Sequence, residues 1–154
     1  MGSEYYMRQA LHLAREAFHA GEVPVGAVIV REGHIIGRGR NRREERRSVL
    51  GHAELDALEE ACRALKDWRL TDCDLYVTLE PCPMCAGALI NARVRRIFYG
   101  TRDAHMGACG SVLNLFDYPY NHKPELVAGV RGEEAAKLLS DFFRELRVKR
   151  KKGN

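Results

Sequence analysis

A chain of 154 residues with 45% hydrophobic and 30% charged side chains suits one globular domain whose core needs no disulfides, so residues 1–154 are expected to form a single domain. No apolar run approaches the ~18 residues of a membrane span, and Met1-Gly2-Ser3-Glu4-Tyr5-Tyr6-Met7 lacks the basic-then-apolar order of a secretory signal, which makes the cytoplasm the expected location. The net charge of +4 is gathered into two clusters, Arg38, Arg40, Arg42, Arg43, Arg46, Arg47 and Arg144, Arg147, Lys149, Arg150, Lys151, Lys152. Such clusters attract phosphate, although each alone is equally well read as a solvated helix face or tail.

Met7, Leu11, Ala14 and Phe18 recur at helical spacing, so the first element is a helix from Ser3 or Glu4 to Ala20, with Ser3 as its cap and Gly21 as its stop. Val25 to Val30 reads as a buried strand, and Glu32-Gly33 turns the chain tightly into His34–Gly37, making a hairpin. Asn41 to Gly51 reads as a basic loop. Leu55, Leu58, Cys62 and Leu65 mark a second helix from about His52 to Lys66, followed by a buried strand, Leu75 to Leu79. Pro83 fits the first position of a third helix ending near Ala92, where its missing N–H costs nothing. Val94 to Gly100 is a fourth strand, Thr101 to Pro124 mostly loop with a short helix around Val112 to Phe116, and Leu126-Val127-Ala128 an edge strand. Ala135, Leu138, Leu139, Phe142 and Leu146 mark a last helix that runs into the basic tail. Strands alternating with helices argue for an α/β protein with a largely parallel sheet covered on both faces.

The chemistry concentrates in His52-Ala53-Glu54 and Pro81-Cys82-Pro83-Met84-Cys85. Five cysteines, two of them in a Cys-x-x-Cys pair, favour metal or redox chemistry over a disulfide framework, with Cys62 and Cys73 as structural thiols. The helix from His52 to Leu65 advances ~21 Å at about 1.5 Å per residue. The strand Asp74 to Leu79 returns ~20 Å at about 3.3 Å per residue, so His52 and Cys82 arrive at the same level of the sheet. Cys82 and Cys85 span the first turn of a helix, whose exposed N–H groups favour thiolates. One imidazole and two thiolates supply three ligands for zinc and leave a fourth position open, the arrangement of a catalytic site. Glu54, two residues beyond His52, stands near enough to carry protons. Alone, His-x-Glu is an ordinary helix cap and Cys-x-x-Cys a zinc knuckle or redox pair; in this order and together they favour metal-assisted hydrolysis.

The His-x-Glu and Pro-Cys-x-x-Cys signature resembles that of the zinc nucleobase deaminases. Glu22 to Val28, Thr78 to Ala88, Phe98-Tyr99-Gly100, Asp103, Gly107, Gly110-Ser111 and Phe142 to Leu146 extend the likeness, from about Glu4 to Arg150, to the bacterial tRNA-specific adenosine deaminases. That resemblance implies a three-layer α/β/α cytidine deaminase-like fold with a central mixed sheet of about five strands. It implies one Zn2+ per subunit held by His52, Cys82 and Cys85, a homodimer, and hydrolysis of adenosine to inosine at the wobble position of a tRNA anticodon stem-loop, with Glu54 as the proton carrier. On the matching positions, Asn41 holds the target nucleoside, the Ala53 amide meets the base, Val25 walls the pocket, Asp103 touches RNA beside the target and Arg144 faces RNA from the last helix. Ser48-Val49-Leu50-Gly51 and His105 depart from the family pattern, the latter replacing a common lysine. A free base or nucleoside as substrate, a non-catalytic zinc-stabilised RNA-binding module and redox exchange at Cys82 and Cys85 are the competing readings.

Overall fold

The computed structural model describes residues 2–153; Met1, the start of the stretch read for a signal, and Asn154, the end of the basic tail, lie outside the described residues. The elements in chain order are α1 (Ser3–His19), β1 (Gly26–Arg31), β2 (His34–Arg40), α2 (Arg43–Arg46), α3 (Ala53–Leu65), β3 (Cys73–Leu79), α4 (Pro83–Asn91), β4 (Arg96–Thr101), a 3₁₀ turn (Leu115–Asp117), β5 (Glu125–Val127) and α5 (Gly132–Lys152). The strands lie in the order β2-β1-β3-β4-β5.

The hairpin turn falls at Glu32 and Gly33, both with positive φ, the geometry that matches the twist of two antiparallel strands. The sheet is mixed rather than largely parallel: β1 runs antiparallel to β2 and β3, while β3–β4 and β4–β5 are parallel. The reason is where the crossover lands. β2 and β3, joined through α3, point the same way, but β1 already occupies the edge of β2 and so is sandwiched between them. The helix start also differs, with Gly2 as the cap residue and Ser3 inside α1, making no side-chain cap bond. The basic loop contains a one-turn helix, α2.

Alternate side chains of each strand face opposite layers. Ala27, Ile29, Leu75, Val77, Ile97 and Tyr99 pack against Ala53, Ala57, Leu58 and Ala61 of α3 and Ala86 and Leu89 of α4. Val28, Val30, Tyr76 and Phe98 pack against Tyr6, Met7, Ala10 and Leu11 of α1 and Ala135 of α5. The result is three layers, α/β/α. Gly37 and Gly39 let α3 lie directly on β2, because a Cβ at either would overlap the carbonyl oxygen of Ala57 or Ala53. The small face of α3 and the bare backbone of β2 thus fix the height of the first turn of α3, where His52 and Glu54 sit.

At the opposite end of the sheet, Asp74 is 5% exposed and takes four hydrogen bonds from Arg95 and Arg96 at 2.7–3.1 Å. Burial works to raise its pKa, yet the bonds from Arg96 and Arg95 outweigh it and hold the carboxyl below its ordinary 3.8. A carboxylate with a depressed folded-state pKa contributes stability above its unfolded value and loses it as pH falls through the folded one. Asp74→Asn is therefore expected to cost about 2 kcal/mol in urea unfolding at neutral pH. Measured in chelator-containing buffer, the gap to the parent should shrink as pH drops below 3.8; a gap unchanged by acid would contradict the assignment.

Candidate active site

The β3 strand ends at Leu79, and Glu80-Pro81 lead straight into Cys82, the cap residue of α4, with Pro83 at the first helical position. His52 is the cap residue of α3. Two helix N-termini therefore meet beside the carboxyl end of β3, the edge where open α/β sheets build sites. Their exposed N–H groups face the side chains at the start of each helix, an environment that favours anionic sulfur.

His52 Nδ1 lies 3.6 Å from Cys82 Sγ and 3.5 Å from Cys85 Sγ, and the three donor atoms fall within 4.8 Å of one another. Zinc bonds of about 2.3 Å to sulfur and about 2.05 Å to nitrogen at a tetrahedral angle put the donors about 3.6 Å apart, so the trio is spaced for a metal. The hydrogen bond from Cys85, seconded by His52, pulls the Cys82 thiol down to about 4. The same contact with Cys82, with burial, pushes the Cys85 thiol upward. His52 is raised by its bond to Cys82. Cys82 is thus the sulfur most readily ionised at the spot where a cation would be held.

Glu54 is 4% exposed, and burial pushes its carboxyl up to about 7. A carboxyl poised near neutrality suits a group that must take a proton and return it. It opens onto a cleft of about 480 Å³ whose floor is His52, Ala53, Glu54 and Cys82 and whose walls include Val25, Asn41, Leu79 and Glu80. Arg43, Arg102, Asp103, His105, Met106 and Phe143 also line it.

The structure brings together His52, Ala53, Glu54, Cys82, Cys85, Val25, Asn41 and Asp103. Arg144 stands outside the cleft on α5, exposed and bonded to Asp141 at 2.8 Å. Asn41 is 8% exposed; its Oδ1 accepts from Arg43 N at 3.0 Å, which directs its amide nitrogen's donors elsewhere. Asp103 Oδ1 accepts from His105 N and Met106 N, closing a tight turn, so this side chain shapes the loop as well as lining the cleft. The departing segment Ser48 to Gly51 makes its own turn, with Ser48 Oγ accepting from Leu50 N.

The basic segment is less free than its sequence implied. Arg40 and Arg42 pair with Glu45, while Arg42 and Arg46 pair with Asp56; Arg43 turns into the cleft. Cys73 is a buried core thiol, whereas Cys62 is only half-buried and borders a surface groove. Two buried carboxylates were not singled out as site residues. Glu22, 2% exposed, accepts from the Glu44 and Glu45 amides at 3.0 and 2.7 Å and so anchors α2 beside the cleft. Glu80, also 2% exposed, accepts from several donors of the 103–111 loop. Burial raises its pKa, but the bonds from Ser111 and the loop amides prevail and keep it lowered. Only its proximity to Cys82 in the sequence hinted at this.

Comparison with known proteins places this geometry in a family. The MafB19-like deaminase family model matches residues 1–147. The tRNA-specific adenosine deaminase of Bacillus subtilis (strain 168) is 48% identical over 149 residues, covering 96% of this chain and 92% of the relative. A solved structure from a study of A-to-I editing by tRNA deaminases at the wobble position of transfer RNA superposes with a TM-score of 0.85 at 44% identity, covering 87% of this chain and 98% of that one. The guanine deaminase of Nitrosomonas europaea shares the fold at a TM-score of 0.80 and 26% identity, over 90% of this chain and 83% of its own. The chain belongs to the MafB19-like deaminase family and, within it, to the tRNA-specific adenosine deaminases.

Proposed function

We propose that this chain is a zinc-dependent tRNA adenosine deaminase, one catalytic domain that acts in the cytoplasm and converts the wobble adenosine of an anticodon stem-loop to inosine. The observation that carries the reading is a buried carboxylate, Glu54, on the floor of an open cleft beside a three-donor group. Two sulfurs and an imidazole at tetrahedral spacing suit zinc better than the oxygen-seeking Mg2+ or Ca2+. Bound by His52, Cys82 and Cys85, zinc supplies Lewis acidity that makes water a nucleophile near neutral pH.

The chain's own residues do the rest. Glu54 takes the proton that water gives up, passes it to ring nitrogen 1 of the purine as carbon 6 is attacked, and then helps the amino group leave as ammonia. The net change is adenosine plus water to inosine plus ammonia. Asn41, with its carbonyl oxygen occupied by Arg43 N, presents its amide donors to the nucleoside; the Ala53 amide meets the base edge and Val25 packs on the ring. A duplex hides carbon 6, so the target must be splayed from a loop. Asp103 contacts RNA beside the target, and Arg43, Arg102 and His105 meet the backbone at the rim. Arg144 and the basic end of α5 reach outlying phosphates and add affinity rather than chemistry. No helix among the described residues is long and apolar enough to cross a membrane.

The active unit is a homodimer. A groove of about 730 Å³ against α3 and α4 is bordered by Leu50, Leu55, Leu58, Cys62 and Trp68, with Val49 76%, Leu50 58% and Trp68 52% exposed. The groove carries both signs of charge, Arg46 and Arg63 beside Asp56 and Glu59. A patch that joins exposed apolar side chains with both signs of charge offers what a two-fold interface between copies of the chain needs.

The shared fold of the guanine deaminase keeps a free purine base as the rival substrate. Ammonia release should be far faster from an anticodon stem-loop than from free adenosine or guanine, and a preference for the free compounds would overturn the assignment. Glu54→Gln is expected to retain about one zinc per chain and stem-loop binding while kcat falls about 10²–10⁴-fold; an active Glu54→Gln enzyme would remove its role. In sedimentation, the protein should run as a dimer and Trp68→Glu as a monomer, whereas a monomeric parent would refute the dimer.

A further inference from the structure

One carboxylate ties the metal-ligand segment to the loop that forms a wall of the cleft. Glu80 lies between Leu79, the last residue of β3, and Pro81-Cys82. Its Oε1 accepts from Asp103 N at 3.1 Å, and its Oε2 from Cys109 N at 2.9 Å and Ser111 N at 3.1 Å. The Ser111 hydroxyl also donates to Oε1. Both ends of the 103–111 loop are thereby fastened to a single side chain. The fastening is reinforced by Ala108 N, which donates to Pro81 O at 2.9 Å.

The loop is also pressed onto this carboxylate. A Cβ at Gly107 would overlap the Glu80 carboxyl group and the Asp103 carbonyl oxygen, so only glycine lets the backbone pass. Between the two fastened ends, Asp103, Ala104, His105 and Met106 face the cleft.

We infer that Glu80 is a positioning residue for substrate selection: its carboxylate holds the 103–111 loop in the one shape that lets Asp103, His105 and Met106 accommodate the nucleotides flanking the target, and registers that wall to Cys82. The chemistry of the ligand is that of a short single-stranded RNA segment, whose flanking sugar, phosphate and base edges need fixed partners, whereas a lone nucleoside reaches only the cleft floor. A glutamate suits the role because four N–H and O–H donors converge on two oxygens. Glutamine at this position offers one oxygen and turns an N–H pair toward donors, leaving part of the set unmatched.

This inference rests on the RNA-deaminase reading, and the test separates the two. If the unmodified enzyme produces no inosine in an anticodon stem-loop, that reading fails before Glu80 is questioned. With an active parent, Glu80→Gln is loaded with zinc and compared by steady-state kinetics on the stem-loop and by hydrogen exchange of the 103–111 amides. The expected result is retained zinc, faster exchange confined to this loop, and a KM raised about tenfold or more, with kcat falling by less than KM rises. Ser111→Ala, which removes one donor and disturbs folding least, should move KM and exchange in the same direction by a smaller amount, and it decides the matter should Glu80→Gln not fold. Unchanged KM and unchanged loop exchange in a zinc-loaded variant would overturn the inference. So would a fall in kcat and zinc content with KM untouched, which would assign Glu80 to the metal segment alone.

Discussion

Everything at the site depends on two helix N-termini arriving at one edge of the sheet. His52 caps α3 and Cys82 caps α4, and each belongs to a connection that leaves or returns to the sheet at the carboxyl end of β3. The height of α3 is set by the absence of side chains at Gly37 and Gly39, and that of α4 by Glu80-Pro81, which join a buried strand to Cys82. An error of an ångström in either helix would spoil a 3.5–3.6 Å spacing between imidazole and thiols. The packed small-residue face of α3, with Ala53, Ala57 and Ala61 fully buried, is therefore as much part of the candidate metal site as its three donors are.

Around that point the protein uses buried carboxylates in two different ways. Glu54 is buried and pushed toward neutrality, with its pKa up at about 7, which leaves it able to exchange a proton. Glu80 is just as buried but held ionised by donors from the loop it fastens. Glu22 likewise receives two backbone amides from the turn that begins α2. For Glu54 desolvation prevails, and for Glu80 the donors it meets do, which separates a proton carrier from a structural anion. The loops on either side of the cleft are thus set by electrostatics rather than by apolar packing, and their tips stay open to a substrate.

Local chemistry was legible in the sequence. Glu32-Gly33 announced its turn, the apolar runs announced β1 and β3, and Pro83 announced the start of α4. The out-and-back lengths of α3 and β3 were enough to bring His52 to Cys82. Long-range choices were not legible. Nothing in β1 tells which edge of β3 it will join, so the antiparallel β1–β3 pairing emerged only in three dimensions. The arginines between Arg38 and Arg47 suit a phosphate-attracting cluster or a solvated face alike, and only the fold shows Glu45 and Asp56 pairing with several of them. The role of Glu80 was not legible because its partners, Asp103, Cys109 and Ser111, lie far along the chain. Arg144 lies on the helix the resemblance named, beside Phe143 of the cleft lining but outside the lining itself and bonded to Asp141.

The central claim is that His52, Cys82 and Cys85 bind one divalent ion as an imidazole and two thiolates, with no fourth protein ligand. Titration of the metal-stripped protein with cobalt(II), followed by absorption spectroscopy, tests it most directly. The account predicts saturation at about one equivalent per chain, with tetrahedral ligand-field bands and a thiolate charge-transfer band that weakens by roughly half in Cys85→Ala. Failure to bind cobalt, or a charge-transfer band indifferent to the loss of Cys85, would contradict it.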